Sequence, residues 1–197
     1  MKKKGLKPAV FLDRDGTINE EMGYINHPER FVLLPGSASA IRRLNEAGVL
    51  AIVVTNQSGL AQGYFSPEVL NLVFQKMIFA LSREGAVLDG IYHCPHHPAG
   101  IVPGFRRDCD CRKPKPGMIT QAARELPVDL SRSFCVGDRI KDVYFGNKCG
   151  LKSVLVLTGY GRGEYEYQHD TWSTLPDYVA EDLPAAVTWI LEDLAQQ

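Results

Sequence analysis

Short apolar runs alternate with stretches of helical periodicity along this chain. Residues 8–12 are mostly apolar and stop abruptly in charge at Asp13, which reads as a buried parallel strand with functional residues at its carboxyl end. Residues 36–47 place Ala40, Ile41, Leu44 and Ala47 at helical spacing, and Gly48 is a natural stop. A second buried strand over residues 49–54 again gives way to polar residues, Thr55-Asn56-Gln57-Ser58-Gly59. Ser66 as N-cap and Pro67 at the first helical position predict a helix running to about Glu84, with a strand over residues 91–94 after it. Regularity resumes with a helix over residues 118–125, a strand over 133–136, a helix over 141–148, a strand over 153–157 and a last helix over 183–194. The aromatic residues Tyr160, Tyr165, Tyr167 and Trp172 are expected to pack a final loop over the sheet.

Strands alternating with helices predict an α/β fold, a Rossmann-like parallel sheet with helices on both faces, in a single domain over residues 1–197. Such sheets bind ligands beyond the carboxyl ends of their strands. Asp13, Thr55 and Gly137-Asp138 each follow a strand at once, so three strand ends aim polar groups into one crevice. Too little chain separates Asp13 from Thr55, or follows Thr55, for a large cap domain. The crevice should be open, shielded only by the loop after Asp15 and by the stretch at 94–112.

Bulk properties narrow the function classes. With 45% hydrophobic and 23% charged residues and a net charge of -1, the chain reads as a well-cored soluble protein. That balance argues against nucleic-acid or membrane-surface binding. The apolar runs are too short to cross a bilayer. The stretch after the basic start at residues 1–7 ends at Asp13, too soon for a signal-peptide core, so a cytoplasmic monomer is expected.

Residues 95–116 have no periodic apolar face and are rich in Pro, Gly, His, Cys and Arg. A structureless loop of this length is uncommon inside a compact domain. Cys94, Cys109 and Cys111 gather there around His96 and His97, and the odd count of five cysteines with a Cys-x-Cys pair speaks against a disulfide framework. Three thiolates and one imidazole are an accepted tetrahedral set for structural zinc, with no position left open for catalysis. Spacing leaves the choice between His96 and His97 open. Cys135 reads as core and Cys149 as inert.

Asp13 and Asp15 bracket Arg14 at the end of the first strand. Alternate residues leaving a strand point the same way, so both carboxylates are expected to share one site and, with Asp138, to form an oxygen cage suited to Mg²⁺. One carboxylate can attack phosphorus and carry an aspartyl-phosphate; the other must lend a proton to the leaving alkoxide and take one from water. Asp13, at the strand end, suits the first role and Asp15 the second. Lys113 would hold phosphate and nucleophile together, and Thr55 with the backbone N–H groups of Asn56 and Gln57 would meet the phosphoryl oxygens. Taken singly these residues read as turn, cap and solvated charge. Asp142 is read as a brace for the loop.

In order, Asp13-x-Asp15-Gly16-Thr17, Thr55, Lys113 and Gly137-Asp138-x-x-x-Asp142 resemble the four-motif set of haloacid dehalogenase-like phosphatases, spanning residues 11–142. That resemblance implies Asp13 as nucleophile, Asp15 as acid/base, Thr55 and Lys113 on the phosphoryl group and Asp138 on Mg²⁺. Phe11-Leu12-Asp13-Arg14-Asp15-Gly16-Thr17-Ile18-Asn19, Cys94-Pro95-His96-His97-Pro98, Cys109-Asp110-Cys111-Arg112-Lys113-Pro114 and Gly159-Tyr160-Gly161 look like the heptose-bisphosphate phosphatase branch of that superfamily. The branch implies a sugar bisphosphate substrate and His96 as the zinc ligand. It also implies substrate contacts from Glu21, Met22, Gly23, Tyr24, Ser58, Arg112 and Arg139, the two arginines toward a second phosphate. The nearest alternative is a histidinol-phosphate phosphatase. A catalytically silent binding module is disfavoured because every motif residue is present. Transfer of phosphate to a sugar would use the same chemistry.

Overall fold

The computed structural model describes residues 5–196; the first four residues of the basic start and Gln197 lie outside the described residues. Six parallel strands form one sheet in the order β3-β2-β1-β4-β5-β6. They are β1 (Ala9–Leu12), β2 (Leu50–Asn56), β3 (Gly90–Cys94), β4 (Phe134–Gly137), β5 (Lys152–Val156) and β6 (Tyr178–Ala180). Helices α1 (Ser37–Glu46), α2 (Pro67–Ser82), α3 (Gly117–Glu125), α4 (Ile140–Lys148), α5 (Gly161–Gln168) and α6 (Leu183–Ala195) connect them or close the chain.

Side-chain alternation along the strands splits the core in two. Val10, Leu12, Val53 and Val136 face one way and pack with Ile41 of α1, Met77 of α2 and Ile190 of α6. Ala9, Phe11, Ile52 and Cys135 face the other way, onto Met118 and Ile119 of α3 and Phe145 of α4. Both faces of the sheet are dry, which is why these strands read as unbroken apolar runs rather than alternating ones. Helix α2 begins as its sequence dictates: the Ser66 side chain accepts from the Val69 N–H and Pro67 fills the first turn.

Strand order reverses beside β1, with β2 and β3 on one side and β4 to β6 on the other. The crevice opens at that switch point, beyond the carboxyl ends of β1, β2 and β4. Among the described residues no cap domain is inserted after β1 or β2, and no helix is long and apolar enough to cross a membrane.

Two elements were not expected. Helix α5 buries only Gly161 and Glu164, so it carries no apolar stripe to betray it, and β6 is three residues long. The aromatic residues of this region do not all pack down: Tyr165, His169 and Trp172 contact one another, whereas Tyr167 is 83% exposed.

Phe134, fully buried and edge-on to Trp189 at 6.0 Å, is a keystone of the first core. Phe134→Ala should lower the unfolding free energy by about 3–5 kcal/mol. The same change at Phe79, 62% exposed, should stay within about 0.5 kcal/mol. Urea denaturation of the two variants checks both values.

Candidate active site

Beyond Asp13 the chain turns instead of extending. The Arg14 carbonyl accepts from the N–H groups of Thr17, Ile18 and Asn19, and Gly16 has φ +76°, a left-handed conformation that favours glycine. A Cβ on Gly16 or on Gly159 would collide with the Asp138 carboxylate, so both glycines let backbone close around it. The turn rotates Asp15 away from the direction expected of an extended strand. Its carboxylate takes Arg14 Nε and Nη2 on Oδ1 at 3.0 and 2.7 Å, Nη2 again on Oδ2 at 2.6 Å, Asn19 Nδ2 on Oδ1 at 3.0 Å and Gln57 Nε2 on Oδ2 at 3.0 Å. The magnesium cage expected from Asp13, Asp15 and Asp138 is therefore drawn differently. The carboxylates that converge are Asp13, Asp138 and Asp142, with one oxygen of each within 4.8 Å of the others.

Lys113 is the only cation among the described residues that reaches this cluster by an ion pair. Its Nζ lies 3.0 Å from Asp13 Oδ1 and 2.6 Å from Asp142 Oδ1, in a site where all three side chains are nearly or fully buried. Burial pulls the Lys113 pKa down, but Asp13 and Asp142 outweigh it and the net shift is upward. Burial raises the Asp13 carboxyl to about 6, with Asp142 and Asp15 adding to the rise and Lys113 opposing it. Asp138 is pushed up to about 8, first by burial and then by Asp13 and Asp142, against one stabilising hydrogen bond from the Tyr160 N–H at 2.9 Å. Asp142 Oδ2 is buried and has no partner. Three crowded carboxylates, one ammonium and an orphaned acceptor leave a deficit of positive charge. An oxygen-bound divalent cation fits that deficit in charge and in donor chemistry.

Other predicted residues fall into place around a crevice of about 220 Å³ lined by Asp13, Asp15, Glu21, Gly23, Tyr24, Thr55, Asn56, Gln57, Ser58, Lys113, Asp138, Arg139, Lys141 and Tyr160. Asn56 does more than was expected of it: its side chain accepts from the Lys113 N–H at 3.1 Å and donates to the Lys113 carbonyl at 3.3 Å, clamping that backbone. The Gln57 backbone N–H, expected on phosphate, is given to the Cys94 carbonyl at 2.8 Å; its side chain instead bridges Asp15 and Thr55 Oγ1. Met22 packs against the core and Arg112 donates to the His96 carbonyl at 3.2 Å, and neither lines the crevice. Arg139 does line it, with Nε paired to Glu164 at 2.8 Å and the guanidinium over the Tyr160 ring at 4.5 Å. Lys141 was not expected, because one lysine on a helix gives no signal in a sequence. Arg14 was passed over for its charged neighbours.

Loop 94–112 brings the four cysteine and histidine donors together. Cys94 and Cys109 sulfurs are 3.5 Å apart, Cys109 and Cys111 3.3 Å, and His96 Nδ1 lies 3.4 Å from Cys111 Sγ and 3.9 Å from Cys94 Sγ. These edges suit a tetrahedral ion with bonds of roughly 2.0–2.3 Å. The cysteines are free thiols, and burial raises the pKa of Cys94 and Cys111, so a bound ion must displace their protons. His97 stays outside the cluster, its Nδ1 accepting from the Ala99 N–H. His96 Nε2 faces Arg107 Nη2 at 2.6 Å. An ion on Nδ1 leaves the ring proton on Nε2, so Arg107 must turn outward to admit it.

A profile of HAD-hydrolase-like proteins matches residues 110–186. The crystal structure of D,D-heptose 1,7-bisphosphate phosphatase from B. bronchiseptica, complexed with magnesium and phosphate, superposes with a TM-score of 0.82 at 38% identity, covering 94% of this chain and 99% of that one. Fold and crevice thus define a haloacid dehalogenase-like phosphatase, a phosphoric monoester hydrolase. D-glycero-beta-D-manno-heptose-1,7-bisphosphate 7-phosphatase of Pasteurella multocida is 42% identical over 88% of this chain and 97% of its own length. The D-glycero-D-manno-heptose-1,7-bisphosphate 7-phosphatase of Thermosynechococcus vestitus is 43% identical over 96% and 98%. The chain belongs to this family of heptose-bisphosphate phosphatases.

Removing the ammonium should expose the charge imbalance directly. In the absence of divalent cations, Lys113→Met should cost about 3–5 kcal/mol of stability, because two buried carboxylates lose their counterion. The double variant Lys113→Met/Asp142→Asn should recover much of that loss. Chemical denaturation of the purified single and double variants measures both.

Proposed function

We propose that this chain removes the 7-phosphate of D-glycero-D-manno-heptose 1,7-bisphosphate by magnesium-dependent hydrolysis through a phosphorylated Asp13, as a step toward nucleotide-activated heptose for lipopolysaccharide. The observation that carries the reading is the buried Lys113 ammonium fixed on Asp13 Oδ1 at 3.0 Å, at the mouth of three strand ends. The relatives named above supply the sugar. On this reading the enzyme acts in the cytoplasm as a monomer on a small soluble substrate.

Asp13 needs no base to become a nucleophile once its charge is balanced. Lys113 supplies part of that balance and holds the attacking oxygen in place. An ammonium has three protons, and two point at Asp13 and Asp142; the third is free for a phosphoryl oxygen. Thr55 Oγ1 accepts from the Gln57 amide, so its own hydroxyl proton is free to donate to phosphate. Asp15 gives a proton to the leaving sugar oxygen as its P–O bond breaks, then takes one from the water that attacks phosphorus and frees Asp13. Held by Asp13 and Asp138, Mg²⁺ would screen the charge between carboxylate and phosphate during the approach. Zinc on Cys94, His96, Cys109 and Cys111 would give loop 94–112 the core that its sequence lacks.

A substrate panel tests the reading. Phosphate release from both anomers of heptose 1,7-bisphosphate should far exceed that from histidinol phosphate, should need Mg²⁺ and should vanish in Asp13→Asn. Preference for histidinol phosphate would reassign the substrate, and an active Asp13→Asn would remove the nucleophile. Because the crowded carboxylates want a cation, Mg²⁺ should also raise the melting temperature of the wild-type protein, and much less that of Asp138→Asn. Elemental analysis should find about one zinc per chain and a loss in Cys109→Ser.

A further inference from the structure

We propose that Arg14, assisted by Asn19, is a positioning residue for catalysis: it anchors Oδ1 of Asp15 so that Oδ2 is the oxygen that exchanges protons with the leaving group and with water. The inference rests on the acid/base reading of Asp15 and deepens it.

Arg14 is 1% exposed, a costly place for a guanidinium unless it is paired. Among the described residues its single ionic partner is Asp15, the residue next to it. One face of the arginine lies 5.8 Å from the Phe74 ring, and Nη1 is buried without a partner. The group is thus aimed at one carboxylate rather than shared among several structural contacts. The two oxygens of that carboxylate are treated unequally. Oδ1 takes Arg14 Nε, Arg14 Nη2 and Asn19 Nδ2; Oδ2 takes Nη2 and the Gln57 amide. The Gln57 amide also donates to Thr55 Oγ1, so Oδ2 shares a donor with the hydroxyl assigned to the phosphate. Oδ1, with three donors, is the more crowded oxygen; Oδ2 has two and can carry a proton once the Gln57 amide, which also reaches Thr55 Oγ1, gives up its place there. In the first step that proton passes from Oδ2 to the sugar oxygen as the P–O bond breaks and the Asp13–phosphorus bond forms. In the second, Oδ2 receives a proton from water as the water oxygen bonds to phosphorus and Asp13 departs.

Leaving-group chemistry separates this role from a merely structural one. A sugar alkoxide is a strong base and departs only with a proton, whereas p-nitrophenolate departs without one. Misplacing Asp15 should therefore slow the first phosphoryl transfer from an alkyl monoester and spare that from p-nitrophenyl phosphate. The experiment measures single-turnover rates for heptose 1,7-bisphosphate and the p-nitrophenol burst, with Mg²⁺ present, in wild type, Asp15→Asn, Arg14→Lys and Asn19→Ala. Arg14→Lys keeps the charge and loses the fork. It should lose roughly 10- to 100-fold on the sugar phosphate and less than about 3-fold in the burst. Equal losses on both substrates, or none, overturn the proposal. Should Arg14→Lys fail to fold, Asn19→Ala decides, with an expected loss of about 5-fold confined to the sugar phosphate. Asp15→Asn separates the two layers: if it slows both substrates equally, the acid/base reading itself falls.

Discussion

A single ammonium between two buried carboxylates governs this active site. Lys113 bridges Asp13 and Asp142 where all three are almost wholly removed from water. Charges so placed are tolerable only when paired. Asp13 without Lys113 would be a buried carboxylate without its counterion, and Lys113 without the two acids would be a buried cation with no partner. Their positions come from distant parts of the chain. Asp13 follows β1, Asp142 lies in the first turn of α4, and Lys113 arrives at the end of a loop with no regular structure. What brings Lys113 home is the Asn56 side chain, which grips its backbone from the end of β2, and the cysteine cluster two to four residues upstream. A metal bound in that loop would thus act at a distance on the nucleophile, by fixing the backbone that carries its counterion.

Charge bookkeeping around the crevice explains why one cation is not enough. Asp15 is matched by Arg14, Asp142 by Lys113 and Glu164 by Arg139. Asp13 shares Lys113 with Asp142, while among the described residues Asp138 has only the Tyr160 N–H. The mismatch collects where Asp13 and Asp138 meet, and burial lifts both pKa values there. Glu164 adds a second constraint: its buried carboxylate accepts from the Ile140 N–H at 2.7 Å and so caps α4, the helix that carries Asp142. Helix α5, with almost no apolar face, earns its place through that one side chain.

The sequence disclosed what depends on burial and hid what depends on turns. The expected strands and the helices α1 to α4 and α6 match because dry parallel strands are bare apolar runs and their helices carry clear stripes or caps. Helix α5 and β6 escaped notice because one lacks a stripe and the other lacks length. At the site, Asp13, Thr55, Lys113 and Asp138, each of which follows a core element or belongs to a motif, all line the crevice. The Asp15 side chain stands apart from the carboxylate cluster because strand alternation stops at Asp13; the Arg14 carbonyl, accepting three N–H groups, starts a turn there. That turn brings Asp15 onto its neighbour's guanidinium, a contact between adjacent residues that no periodicity can reveal.

On the function proposed above, selectivity for a bisphosphate comes from the rim, since among the described residues no cap domain closes over the crevice. Both arginines nominated for a second phosphate are already engaged. Arg112 donates to the His96 carbonyl and does not line the crevice. Arg139 pairs through Nε with Glu164 and stacks on Tyr160, yet its side chain is 37% exposed and lines the crevice, so the outer edge of the fork remains available. Lys141, two residues on, lines the same crevice, with no carboxylate paired to it among the described residues. A guanidinium held rigid by Glu164 beside a free ammonium gives orientation from one and charge from the other. On the function proposed above, that combination would favour a second anionic group on the substrate over a cationic one such as the amine of histidinol phosphate.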